Sequence, residues 1–146
     1  VGVLDGLLRR RRRRLDADVA PLLCGAEVFQ FLLRPDLLVQ GADLLVAADC
    51  TPVAYPNFHR DFIHGKVVMV GCPKFDDARE YIQKFADIFR TADIKSITVV
   101  MMEVPCCQGL PWIVEKGMES AGRKIPVEKV IINSKGDIIN REKKAD

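Results

Sequence analysis

A chain of 146 residues that is 49% hydrophobic and 29% charged is long enough to form one domain around its own core, and too mixed in character for a disordered or low-complexity class. No apolar run approaches the ~18 residues that a bilayer-spanning helix needs. The formal net charge of +2 hides an uneven distribution: from residue 41 onward fifteen basic and fifteen acidic side chains balance, so the excess falls in the first forty residues, chiefly in Arg9 to Arg14.

Those forty residues hold ten Leu and seven Arg but no Lys and no Ile, whereas beyond residue 45 Leu110 is the sole Leu and Ile and Lys become common. The change sets a boundary between an N-terminal extension, residues 1–40, expected to be disordered or non-native, and an α/β domain, residues 41–146. The run "RRRRRR" has three readings: a binder of phosphates on nucleic acid or acidic lipid, a solvated arm, or a stretch foreign to the domain. The expectation is against nucleic acid and against a membrane. No secretory leader is expected either, because "VAPLLCGA" is short and Leu23 stands before Cys24, where lipoprotein processing needs a small residue. Residues 28–38, "VFQFLLRPDLL", are apolar enough to pack on the domain edge, with Pro35 interrupting them.

From Ala42 the pattern becomes regular. "ADLLVAA" (42–48) reads as a buried strand. "YPNFHRDFIHG" (55–65) reads as a short helix, with Pro56 early and Gly65 late. "KVVMVG" (66–71) is a β-branched second strand. "DDAREYIQKFADIFRTAD" is the clearest helix: Asp76 and Asp77 are the candidate caps, and Ala78, Tyr81, Ile82, Phe85, Ile88 and Phe89 form one apolar face at helical spacing. "SITVVMME" (96–103) is a third strand, and residues 109–121 a second helix with Gly122 as its stop. "VEKVIIN" (127–133) is a fourth strand, and "SKGD" a turn after which Ile138 and Ile139 start a short returning strand. Alternation of strand and helix implies parallel pairing through right-handed crossovers. The expected fold is therefore a three-layer α/β domain with a mostly parallel four-stranded sheet, Rossmann-like or flavodoxin-like.

In such a sheet all strands point one way and ligands bind beyond their carboxyl ends. Cys50 follows the first strand, Cys72 the second, and Cys106 and Cys107 the third. Neighbouring strands lie about 4.8 Å apart, so adjacent loops can bring these thiols to one centre. The blander reading is core filler, since cysteine is among the most buried residue types. Prolines and a glycine in the same loops (Pro52, Pro73, Pro105, Gly71) shape backbone instead of filling a core. An iron–sulfur cluster takes about four thiolates and zinc takes four Cys or His ligands. Neither local spacing, C-x-x-C or C-x-x-C-x-x-C, is present, so any convergence has to come from the fold. A bond between the two neighbouring cysteines is disfavoured by geometry. The scarcity of cysteines favours a reducing, cytoplasmic setting.

Other residues carry weaker signals. His59, near the start of the helix after the Cys50 loop, is a candidate metal ligand or proton donor, with an ordinary surface role as its rival. His64 sits at a helix end, where its charge suits the dipole. "GCPKFDD" looks like an anion cradle, but two aspartates oppose an anion there. A cysteine-phosphatase loop needs Arg six places after the cysteine; Ala78 stands there and Arg79 is one place late. Neither a G-x-G-x-x-G nor a Walker lysine motif is present. Asp49 and Glu103, each close before a cysteine, are candidates for bonding loop N–H groups or carrying protons.

The blocks "GADLLVAADC", "NFHRDFIHGKVVMVGCPKFDD", "IKSITVVMMEVPCCQGL" and "SAGRKIP", spread over about residues 40–140, together resemble the C-terminal domain of prokaryotic, largely anaerobe, 4Fe-4S ferredoxin-type iron–sulfur proteins. Members of that group begin with a ferredoxin module carrying C-x-x-C-x-x-C-x-x-x-C-P runs, which this chain lacks. The resemblance implies an electron-transfer context, with Cys50, Cys72, Cys106 and Cys107 matching the family's cysteine blocks; the preferred expectation is that these four bind an iron–sulfur cluster, with zinc as the alternative and His59, from its position, as an added candidate ligand. A weaker likeness to the Cys-rich domain of heterodisulfide-reductase-type proteins rests on Cys72 and "CCQG" alone. The expected partner is a redox protein or the ferredoxin module, with self-association as a further expectation. The rival expectations are a thiol-redox or small-molecule enzyme using Cys106 and Cys107, and a docking module without metal.

Overall fold

A computed structural model describes residues 39–144; the Arg run, the 28–38 segment and Cys24 lie outside them. Ten elements follow in order. They are β1 (Asp43–Ala48), α1 (Thr51–Ala54), a π-helical turn (His59–Ile63), β2 (Lys66–Gly71), α2 (Ala78–Thr91), β3 (Ser96–Met102), a 3₁₀ turn (Pro105–Gln108), α3 (Gly109–Ala121), β4 (Val127–Ile132) and β5 (Ile138–Lys144). The strands form one sheet in the order β2-β1-β3-β4-β5. The first four run parallel and β5 returns antiparallel, so the sheet has one strand more than the four-stranded core read from the sequence.

The strand sequences explain this order. Leu44 to Ala48 of β1 and Ile97 to Met102 of β3 are buried without interruption, as central parallel strands must be when both faces are covered. β2 is half-buried at one edge. β5 carries "NREKK", with Arg141 and Lys143 paired to Glu128 on β4, and a register shift at Ile131/Ile132 interrupts its ladder. Charge and irregularity on an outer strand discourage further pairing.

Right-handed crossovers fix the layers. The β1→β2 and β2→β3 connections leave β1 and β2 in opposite directions across the sheet, so they lie on opposite faces; β3→β4 continues the second direction. Hence α2 and α3 share one face and pack on each other, while α1 and the π turn cover the other. Gly117 sits at the α2–α3 contact, where an added Cβ would come within 2.6 Å of the Phe85 Cβ. On the opposite face Phe58 and Phe62 are buried, their tilted rings 5.4 Å apart between centroids.

Two local expectations need correction. The stretch 55–65 is not one short helix: Pro56 and Asn57 separate α1 from a five-residue π turn that opens on His59. Of the two aspartates read as caps of α2, Asp77 alone serves, its Oδ1 accepting the Arg79 N–H at 2.7 Å. Two adjacent carboxylates look alike as caps in a sequence; Asp76 is drawn away by partners that only the fold supplies. The other element ends fall where the sequence suggests. The αL residue Gly122 (φ 66°) stops α3, and Gly136 (φ 87°) turns β4 into β5.

Candidate functional site

β1 is flanked by β2 on one side and β3 on the other, and the chain leaves it in opposite directions. This is the topological switch point, where a crevice opens beyond the strand ends. Ala48 pairs with Gly71 across β1 and β2, so Asp49-Cys50 and Cys72 leave the sheet from neighbouring positions. On the other side of β1, β3 ends at Met102 and leads into the 3₁₀ turn that holds Cys106 and Cys107.

The four cysteines are free thiols in different surroundings. Cys50 and Cys106 are exposed, Cys72 is half-buried, and Cys107 is 1% exposed. Burial pushes the Cys107 thiol up to about 11; the Met102 backbone opposes this, while Cys50 and Cys106 add to it. Cys107, after β3, thus feels thiols from the loops after both β1 and β3. The 3₁₀ turn runs directly into α3, so Cys106 and Cys107 sit at the positive end of a thirteen-residue helix, which favours negative charge there.

Cys72 approaches by a different route. Its carbonyl accepts the N–H groups of Phe75 (3.1 Å) and Asp76 (3.0 Å), closing a tight loop. Its own N–H donates to Asp76 Oδ2 at 2.9 Å, and the Tyr81 hydroxyl donates to the same oxygen. The anion cradle read in "GCPKFDD" is therefore filled by the chain's own carboxylate. The next residue, Pro73, lies 3.5 Å from where a Cβ on Gly109 would sit. The Cys72 loop thus reaches over the end of β1 and touches the start of α3 two residues beyond Cys107.

Asp49 is raised above the usual carboxylate range, first by burial and then by the Asp76 charge that faces it. Glu103 plays a structural part, its Oε1 accepting the Ser134 N–H at 3.1 Å to tie the β3 loop to the β4–β5 turn. His59 is exposed at the head of the π turn, and the ionisable groups that act on Cys107 are cysteines. Among the described residues, no three His, Cys, Asp or Glu side chains are already gathered in a geometry that would hold a metal ion. Among the same residues no helix is long and apolar enough to cross a membrane.

Sequence reasoning missed two features of this rim. One is the Asp76–Tyr81 pair, whose only trace is a second Asp beside the cap and a Tyr on the helix's apolar face. The other is an apolar collar. Val53 (89% exposed), Phe75 (80%), Val104, Trp112, Ile138 and Ile139 are the large apolar side chains that face solvent among the described residues. Every one of them belongs to an element or loop at the carboxyl end of the parallel strands, or to the start of β5 at that same end. The β4–β5 turn joins the ring, since a Cβ on Gly136 would lie 2.6 Å from the Ala54 carbonyl oxygen of α1. A groove of about 450 Å³ lies elsewhere, at the far end of α3, lined by Glu115, Met118, Arg123, Lys124, Ile125 and Val127.

The thiols differ enough to be told apart chemically. Alkylation follows thiolate fraction and access. Cys50 and Cys106 are therefore expected to be modified first by iodoacetamide at pH 8, and Cys107 last, at a rate set by opening of the fold. Peptide mass mapping over time checks this order.

Fold and site together define a doubly wound α/β domain with cysteines in the loops around its switch point. The chain belongs to the Rossmann-like domain family, whose model matches residues 37–145. It is also 33% identical over 108 residues to a protein of Archaeoglobus fulgidus described as "Uncharacterized protein", an overlap of 74% of this chain and 76% of that one. No solved structure matches. Neither match names iron–sulfur chemistry, a substrate or a partner.

Proposed function

We propose that the switch-point rim is a thiolate site for a thiophilic metal centre, an iron–sulfur cluster first and zinc second, and that the protein works in electron transfer. One observation carries the reading: the loops after three adjacent parallel strands each present cysteine, and those loops touch. Cys50 and Cys106 both act electrostatically on Cys107, and Cys72 sits on the neighbouring loop packed against Gly109. The donor chemistry fits, because soft thiolates select iron–sulfur clusters and zinc over hard cations. The α3 N-terminus supports accumulated negative charge at Cys106 and Cys107. Since the side chains are not already gathered, binding includes a closing of the loops and a rotation of Cys107 out of its buried position.

When bound, a cluster supplies one-electron chemistry. The chain's own part is to hold the ligands, keep water from Cys107, and offer the apolar collar to a redox partner or ferredoxin module. Ligand thiols must lose their protons, so uptake releases protons and weakens as pH falls; Cys107, held protonated well above neutrality, sets much of that dependence. The test is anaerobic reconstitution with iron and sulfide, and separately with zinc, followed by metal and sulfide analysis per chain. Stoichiometric retention through a desalting column is expected. Failure of both reconstitutions in folded protein sinks the reading.

The thiol-redox alternative draws support from the adjacency of Cys106 and Cys107 in one 3₁₀ turn. It is weakened by the direction of the Cys107 shift, since reactive cysteines have lowered values.

A further inference from the structure

We infer that Asp76 and Tyr81 are positioning residues that hold Cys72 toward the Cys50–Cys106–Cys107 group. The inference rests on the thiol-site reading and adds to it the two residues that deliver the fourth thiol.

Asp76 is free for this work because Asp77 caps α2. A single oxygen, Asp76 Oδ2, accepts both the Cys72 N–H and the Tyr81 hydroxyl. The Tyr81 end of this clamp is anchored in the first turns of α2, where its ring meets Phe85 edge-on at 6.5 Å. The Cys72 end is a backbone group, so the clamp fixes main chain and not merely a mobile side chain. Gly71 completes the device: the Tyr81 hydroxyl occupies the space a side chain at position 71 would need. A glycine at the last position of β2 lets the phenol reach under the loop. On the other side Pro73, whose ring restricts the backbone, abuts Gly109 at 3.5 Å from its would-be Cβ. The loop is thus gripped from below by Asp76 and Tyr81 and stopped from above by the head of α3. Cys72 lies between those two contacts, directly after β2, whose last residue Gly71 pairs with Ala48 two residues before Cys50. A loop that merely joined β2 to α2 would need only the Asp77 cap.

Outer partners that orient metal ligands typically cost 10–100-fold in metal affinity when lost. The experiment uses the full chain with Cys24→Ser, compared with the same chain carrying Tyr81→Phe, Asp76→Ala or both. One readout is a short bifunctional thiol crosslinker applied to metal-free protein, with products mapped by mass. The other is zinc affinity by competition with a chelator. Links between Cys72 and any of Cys50, Cys106 or Cys107 are expected in the parent and should fall at least about fivefold in the variants. The Cys50–Cys106 link should persist, which separates lost positioning from general loosening. Zinc affinity should drop by the 10–100-fold expected of an outer partner. Equal Cys72 crosslinking in parent and double variant overturns the inference, as does a parent in which Cys72 links to none of the three. A parent that binds no metal but loses its Cys72 links on Tyr81→Phe leaves the positioning role standing and removes the metal reading alone.

Discussion

Cys106→Ser and Cys50→Ser each remove more than about 100-fold of the affinity for reconstituted metal, beyond the 10–100-fold range of an outer-partner loss. A direct thiolate ligand is lost outright, and a serine hydroxyl titrates far too high to replace it near neutral pH. Both side chains are exposed, so neither change opens a cavity, and unfolding midpoints should stay within about 0.5 kcal/mol of the parent. Cys107→Ser is expected to match them in metal loss but to cost some stability as well, because the site is buried and shaped for sulfur. His59→Ala is the control. His59 was a candidate ligand by sequence, yet it is exposed at the head of the π turn, and its removal should leave the metal content unchanged. Metal per chain, measured on folded protein alongside urea denaturation, separates the two kinds of effect. Full metal retention by the Cys50→Ser, Cys106→Ser double variant would contradict the thiol site.

The pH behaviour of the metal-free protein follows from the same geometry. The Cys107 thiol lies near 9 in an unfolded chain and is pushed up to about 11 in the fold. Below pH 9 both states keep the proton and the thiol is neutral toward stability. Between pH 9 and about 11 the unfolded state ionises while the folded state resists, so stability falls as pH rises through that window, by no more than about 1.4 kcal/mol per pH unit for one group.

Much of this arrangement was legible in the chain because it is encoded by local pattern. Leu44 to Ala48 and Val99 to Met102 are uninterrupted apolar runs, as strands buried on both faces require. Tyr81, Phe85, Ile88 and Phe89 recur at helical spacing and do pack inward. That cysteines follow three strand ends is a matter of position, and position follows from the alternation of strand and helix. Strand order does not: right-handed crossovers are compatible with several orders, and β1 lies between β2 and β3 only when the β1→β2 and β2→β3 connections cross opposite faces. Contact between Pro73 and Gly109, thirty-odd residues apart, likewise has no local signature. Asp76 is the sharpest case. Its sequence neighbourhood says helix cap, while its actual partners, Tyr81 and the Cys72 N–H, turn it toward the rim. Burial of Cys107 beside an exposed Cys106 also escapes the sequence, because a 3₁₀ turn sends adjacent side chains to different sides.

Phe89→Ala should be the most destabilising single change in the α2–α3 layer. Phe89 is fully buried and stacks on Phe85 at 5.7 Å with 20° between ring planes. Gly117 of α3 fits against the same pair, its would-be Cβ 3.4 Å from Phe89 Cε2. Truncating a buried Phe to Ala costs about 3–5 kcal/mol, through lost transfer energy and the cavity left behind. Domains of this size hold only about 5–15 kcal/mol in total. A fall in the urea midpoint at constant m-value is expected, since the surface exposed on unfolding hardly changes. The reverse error, Gly117→Leu, should separate the helices and cost about 1–3 kcal/mol by overpacking. Both changes lie away from the thiols, yet both act on them through α3, whose first turn carries the Cys106–Cys107 segment. Cys107 is shielded by that packing, so its alkylation at pH 8 should accelerate in Phe89→Ala while Cys50 keeps its rate. If Cys107 instead reacts at the parent rate in a variant that has lost 3 kcal/mol or more, on the order of the cavity cost, its protection is local and independent of the helix pair.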